Sequence, residues 1–318
     1  MFPMSLFVQV SSLPMADKGA EVRKWFEKIL SDHKRQGSPH YIHDLALSDV
    51  ATIDPSTGIS TFAKDQLNVI KNYLSYFGNV FVGTVLINHA DPYSSGIQDE
   101  TFRWKNISAS REAAARYVEY LKDSQINMPV HWYISYEADL NRLTDDGIKE
   151  AYKAYIKQLT EDLAEINVRE GLNPNPSFLW SPAFHTRFHA VSDADKNKLA
   201  SNLRNLFAGA PRLNWLHFQD FVGQPAKRQS NGSIHYDFTA DDAIGYFSEV
   251  LVPANSSLQL KSCLVNMELF VSDAINPLSL HPGDPMEQSE RHCAYRRAGI
   301  PVGFSWEIRW WYRSLYGD

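Results

Sequence analysis

The chain has 318 residues, of which 44% are hydrophobic and 21% charged, and a formal net charge of -6. A core of this size needs no disulfide or metal to hold it, and a net negative charge without a basic block argues against a nucleic-acid partner. The two cysteines, Cys263 and Cys293, fall in a predicted strand and a predicted helix and read as separate buried thiols rather than a bridge.

The first residues, Met1 to Val10, run directly into a strand pattern, without a basic segment, a long apolar core or a cleavage site. The expectation is a cytoplasmic chain with no membrane attachment. From there short apolar runs alternate with amphipathic stretches. Strands are predicted over Leu6 to Ser11, His40 to Leu45, Val80 to Asn88, Val130 to Tyr136, Ser177 to Ser181, Leu213 to Phe218, Leu258 to Met267 and Val302 to Ile308. Helices are predicted over Lys18 to Asp32, Thr61 to Phe77, Ser110 to Asp123, Thr144 to Glu170, Asp193 to Ala208, Asp241 to Val250 and Met286 to Ala298. Ser110 and Thr144 are the expected N-caps, the second followed by Asp145 and Asp146, where the helix dipole favours acids.

No linker and no internal repeat interrupts this order. Strands alternating with helices imply a parallel sheet, and around eight units in about 300 residues fit a closed barrel better than an open sheet. The predicted fold is therefore α/β, a (β/α)8 TIM barrel, in one catalytic domain over residues 1–318. The first strand-to-helix turn, Ser11 to Asp17, lacks a glycine-rich dinucleotide fingerprint, and there is no P-loop, so no cofactor is expected.

Polar groups gather where the predicted strands end. Glu137 closes the fourth and Glu268 the seventh, and the others offer His43 and Asp44, Asn88 and His89, Trp180 and Ser181, Gln219 and Asp220, and Trp306 and Glu307. A barrel collects such ends at one rim. Alternate residues of a strand point in and out, which places Glu268 inward with Asn266 and Leu264, and Glu307 inward with Ser305 and Gly303. In the sixth strand either Gln219 or Asp220 could be the inward residue. Trp180 is the expected aromatic platform for a sugar ring, whereas Trp310 and Trp311 read as packing.

The runs Trp132 to Glu137, Trp180 to Phe184, Phe218 to Gly223 and Asn266 to Phe270 resemble a bacterial family of uncharacterised, glycoside-hydrolase-like barrels, with the motifs in the same order. That resemblance implies a (β/α)8 barrel with Glu137 and Glu268 where many retaining glycosidases carry acid/base and nucleophile. One departure is Tyr136, where those enzymes usually have asparagine, which puts their contact to the sugar 2-hydroxyl in doubt.

The expected activity is hydrolysis of a poly- or oligosaccharide, with Glu137 as general acid/base and Glu268 as nucleophile. Carboxyl groups about 5 to 5.5 Å apart would retain configuration and roughly 6.5 to 9.5 Å would invert it. Asp44, Asn88, Trp180, Gln219, Asp220, Asn266 and Glu307 are the expected substrate contacts, since carboxylates and amides pair well with neighbouring hydroxyls. Two alternatives stand beside this: a metal-dependent barrel using Glu137, Glu268, His217 and Asp220 or Glu307, and a sugar-binding barrel without catalysis.

Overall fold

The computed structural model describes residues 5–13, 19–35, 44–53, 60–85, 95–223, 227–228, 234–235, 237–256, 260–273 and 280–306. Eight parallel strands form its centre: β1 (Ser5–Gln9), β2 (Asp44–Ser48), β5 (Asn79–Gly83), β6 (Val130–Ile134), β7 (Phe178–Trp180), β8 (Leu213–Gln219), β11 (Ser262–Glu268) and β14 (Val302–Trp306). Each pairs with the next in chain order, and β14 returns to β1, so the barrel is closed.

The remaining strands lie in loops. A hairpin of β3 (Ala51–Ile53) and β4 (Ser60–Phe62) follows β2. The strands β9 (Lys227–Arg228), β10 (Ile234–His235), β12 (Phe270–Asp273) and β13 (Leu280–Pro282) form a separate sheet in the order β10, β9, β12, β13, built from the connections after β8 and β11. The helices are α1 (Gly19–Arg35), α2 (Lys64–Ile70), α3 (Ser95–Gln98), α4 (Glu100–Asp123), α5 (Asp146–Arg169), α6 (Asp193–Gly209), α7 (Ala240–Tyr246), α8 (Val252–Asn255) and α9 (Pro285–Arg297).

Period two sorts the strand residues into two cores. Phe7, Ala46, Phe81, Tyr133 and Leu179 fill the barrel interior with half-buried Trp215, Phe7 meeting Tyr133 edge-on at 5.1 Å and Phe81 meeting Trp215 at 4.9 Å. Their neighbours, among them Leu6, Leu45, Val82, Trp132, Trp180 and Phe218, face outward into the larger core beneath the helices. The barrel is thus plugged, and chemistry is confined to its rims.

Three local expectations are corrected. The second strand begins rather than ends at Asp44. Helix α4 begins ten residues before Ser110: Asp99 caps it by accepting from Thr101 N at 2.8 Å, and Ser110 lies buried within the helix, accepting from Val85 N at 3.1 Å. The stretch Asn106-Ile-Ser-Ala-Ser110 is a poor helix former, but it is held by tertiary contacts, and Asn106 Nδ2 donates to Phe102 O at 2.9 Å. Finally, the cap of α5 is Asp145, accepting from Ile148 N at 3.0 Å, while Thr144 ends the preceding 3-10 turn.

Cys263 and Cys293 are free and half-buried, and burial pushes the Cys263 thiol up to about 12. Among the described residues no helix is long and apolar enough to cross a membrane.

Candidate active site

Glu137 stands at the carboxyl-end rim because the strand pattern continues beyond β6. Tyr133 belongs to the interior core, while Tyr136 is driven outward into an aromatic nest of Phe102, Tyr152 and Tyr155, with ring centroids at 6.0, 5.7 and 5.5 Å. Alternation turns Glu137 inward. The carbonyls of the residues on either side are held: Trp180 Nε1 donates to Tyr136 O at 2.8 Å, and Ala183 N donates to Ala138 O at 2.9 Å. Glu137 remains partly exposed. Burial pushes its carboxyl up to about 7, a hydrogen bond from Gln219 works against that rise, and the negative charge of Asp49 adds to it.

Asp49 is the carboxylate that sequence reading missed. It follows β2 with a left-handed backbone, φ 51°, which aspartate tolerates better than most residues. Gln9 Nε2, at the end of β1, donates to its Oδ2 at 2.7 Å, and Ser11 Oγ does so at 3.3 Å. Between β2 and β6 lies Gly83 of β5. A Cβ there would stand 2.8 Å from Leu47 O, 2.9 Å from Ser135 Oγ and 3.0 Å from Ser48 Cα, so only glycine allows these strand ends to close in. Tyr133 lies near both acids. Burial, then the charges of Glu137 and Asp49, hold its phenol well above the ordinary range, so it is a neutral hydroxyl.

On the other flank Gln219, Ser181 and Asn266 form a linked set. Gln219 Nε2 donates to Ser181 O at 2.9 Å and its side chain also hydrogen-bonds Glu137, while Asn266 Nδ2 donates to Ser181 Oγ at 3.0 Å. Gln219 and Asn266 are register partners across β8 and β11. This settles which residue of the sixth strand faces in: Gln219 does, and its amide orients Glu137. Glu268 follows Asn266 by two and is 1% exposed. Its Oε2 accepts from Gly223 N at 2.8 Å, and its carbonyl accepts from Arg291 Nη2. The loop that delivers Gly223 turns at Phe221, another left-handed residue with φ 56°, whose ring stacks on His185 with centroids 4.3 Å apart. This half-exposed pair is an aromatic feature of the rim; Phe221 lies in the Phe218 to Gly223 run, but neither residue is among the expected substrate contacts.

Three expected substrate contacts are corrected. Asp44 sits at the amino end of its strand, opposite the rim, accepting from Asn79 Nδ2 at 2.7 Å. Trp180 is fully buried against Tyr152, with centroids 6.0 Å apart, and presents no face to a ligand. Asp220 points away from the barrel axis into the helix layer: its Oδ2 pairs with Arg291 Nη1 at 3.1 Å and accepts from Tyr295 Oη at 2.9 Å, while Oδ1 accepts from Glu268 N at 3.1 Å. Asn88 and Glu307 lie outside the described residues. Among the described residues, which do not include Glu307, the ligand set of the metal alternative is not assembled either. His217 is buried at 2.9 Å from Ser262 Oγ, and no three His, Cys, Asp or Glu side chains among the described residues converge as metal ligands would.

No protein-family model and no curated protein matches the chain. Its fold is shared with solved structures. A "putative alpha-L-fucosidase" from Bacteroides thetaiotaomicron superposes with a TM-score of 0.63 at 16% identity, over 96% of this chain and 85% of that one. A chitinase from Bacteroides thetaiotaomicron gives 0.49 at 7% identity over 100% and 98%, and the GH18 chitinase ChiB of Flavobacterium johnsoniae gives 0.46 at 10% over 96% and 87%. At these identities the likeness is one of fold.

Proposed function

We propose that the chain is a glycoside hydrolase in which Glu137 is the general acid. One observation carries the reading: at the carboxyl-end rim of a closed barrel, where such folds keep their chemistry, a partly exposed glutamate is braced on both sides and has its carboxyl pushed up to about 7. A carboxylic acid that keeps its proton near neutrality is what a glycosidic oxygen needs from its acid. The barrel neighbour with the highest TM-score quoted above carries a name that refers to a glycosidase, which agrees with this chemistry.

In this reading Glu137 gives its proton to the bridging oxygen as the C1–O bond breaks, and the bonding electrons leave with that oxygen. Glu268, its carboxylate oriented by the Gly223 amide, supplies the electron pair that forms a new bond to C1. Glu137, now a carboxylate, takes a proton from water, whose oxygen displaces Glu268 from C1. Acid, nucleophile and enzyme are restored, and the sugar keeps its configuration.

The test is a panel of polysaccharides and 4-nitrophenyl glycosides, α-L-fucoside included, assayed with wild type, Glu137→Gln and Glu268→Gln. On a substrate with a poor leaving group, Glu137→Gln should lose on the order of 10²-fold or more in kcat, with less loss on an aryl glycoside. Equal activity of wild type and Glu137→Gln on both substrates would remove Glu137 from the chemistry. Following the first-formed anomer by NMR decides between retention and inversion.

A further inference from the structure

We propose that Asp49 is a further catalytic carboxylate of this site, brought to the same side of the rim as Glu137 by the close approach of β2 and β6 over Gly83, with its charge set against the sugar ring as positive charge develops at C1 and the ring oxygen. The inference rests on the reading of Glu137 as general acid and adds a residue that neither the sequence motifs nor that reading requires.

The geometry begins with Gly83. The ends of β2 and β6 are both neighbours of β5, and on the rim Ser48 and Ser135 both crowd the position where a Gly83 side chain would be. Asp49 and Glu137 are the next rim positions above these two serines, so the absence of a Gly83 side chain draws the two strand ends, and with them the two acids, together on one side of the rim. The backbone of Asp49 turns left-handed to place it there, a conformation that concentrates at functional sites when a non-glycine residue adopts it.

Asp49 is also held as a charged group would be held. Both donors, the Gln9 amide and the Ser11 hydroxyl, go to Oδ2, and Oδ1 takes no hydrogen bond from the described residues. A carboxylate fixed through one oxygen presents the other to a substrate hydroxyl or to a developing cation. Among the described residues, the charge acting on Glu137 is that of Asp49 on the β2 side; Tyr133 below is a neutral hydroxyl and Gln219 opposite is uncharged.

Two measurements test this, one needing no substrate. With the side-chain carboxyls labelled with 13C, the Glu137 resonance is identified by its loss in Glu137→Gln and titrated in wild type and in Asp49→Asn, since asparagine tolerates the same backbone. Asp49→Gly, which adopts a left-handed conformation without strain, is the second variant should the first fail to fold. If Asp49 faces Glu137, the midpoint drops in either variant from about 7. An unchanged midpoint overturns the proposal, whereas a wild-type Glu137 that titrates as an ordinary glutamate overturns the general-acid reading instead. On the best substrate of the panel, Asp49→Asn should lower kcat/KM by on the order of 10²-fold, with the alkaline limb of the profile moved to lower pH. Wild-type kcat/KM in a folded Asp49→Asn also overturns it.

Discussion

The indole Nε1 of Trp180 donates to the carbonyl oxygen of Tyr136 at 2.8 Å, which pins the peptide immediately before Glu137. Trp180 therefore bears on Glu137 through the backbone and, being fully buried, offers no face to a ligand. Trp180→Phe should lower stability by about 2–4 kcal/mol, because it leaves a buried carbonyl without its donor and a void beside Tyr152. In kinetics KM should hold while kcat falls by roughly ten-fold, as expected when a catalytic group loses its bracing. A large rise in KM with kcat preserved would return Trp180 to the role of sugar platform.

The Asp220 and Arg291 pair, 3.1 Å apart and almost fully buried, joins β8 to α9 and grips both backbone ends of Glu268. Burial works against the charge of Arg291, but Asp220 and then Glu287 more than offset it, so the guanidinium stays ionised. Removing one partner strands the other charge in the core. Asp220→Ala or Arg291→Met should each cost about 3–5 kcal/mol in chemical denaturation. The double variant should cost clearly less than their sum, since the coupling is lost only once.

Much of the fold was legible because the barrel repeats its signal. The alternation of apolar runs and amphipathic stretches set the strand order, and period two around Leu264, Asn266 and Glu268 matches the outward placement of Val265 and Met267. The site was harder to read. Asp44 looked like a strand end because a polar pair, His43 and Asp44, precedes the apolar run; yet its carboxylate is satisfied by Asn79 at the start of the next strand, and the true end lies at Ser48 and Asp49. The available signal was an aspartate directly after Leu45-Ala-Leu-Ser48. Trp180 belongs to a strand of only three residues, too short for alternation to declare its face. Gln219 and Asp220 could be separated only by register against β11, a long-range relation that adjacent residues do not encode.

Gly83 offers a prediction about shape. Gly83→Ala forces a methyl to within 2.8 Å of Leu47 O and 2.9 Å of Ser135 Oγ, so β2 and β6 must move apart at the rim. The cost should be about 1–3 kcal/mol, as for other overpacked sites. Activity should fall far more than stability suggests, because the shift separates the elements that carry Asp49 and Glu137. Thermal unfolding measured beside kcat/KM checks this: a variant destabilised in that range with wild-type kcat/KM would show that the close approach at Gly83 is packing alone.

The raised carboxyl of Glu137 predicts two pH effects of definite sign. In the proposed mechanism the protonated form is the working one, so the alkaline limb should have its midpoint at about 7 and should vanish in Glu137→Gln on an aryl glycoside that needs no proton. For stability, the folded carboxyl titrates at about 7 and the unfolded one near the ordinary 4.5. Between these values the folded chain keeps a proton that the unfolded chain has released. The contribution is thus full below the ordinary value and is lost as pH rises through about 7. Glutamine carries no such dependence. Glu137→Gln should therefore match wild type in denaturant at pH 4 and exceed it at pH 8 by about 2–3 kcal/mol, the burial that favours the acid being a cost once it ionises. Parallel stability curves for the two proteins across this range would mean that Glu137 titrates as an ordinary surface glutamate, and the general-acid assignment would fall with it.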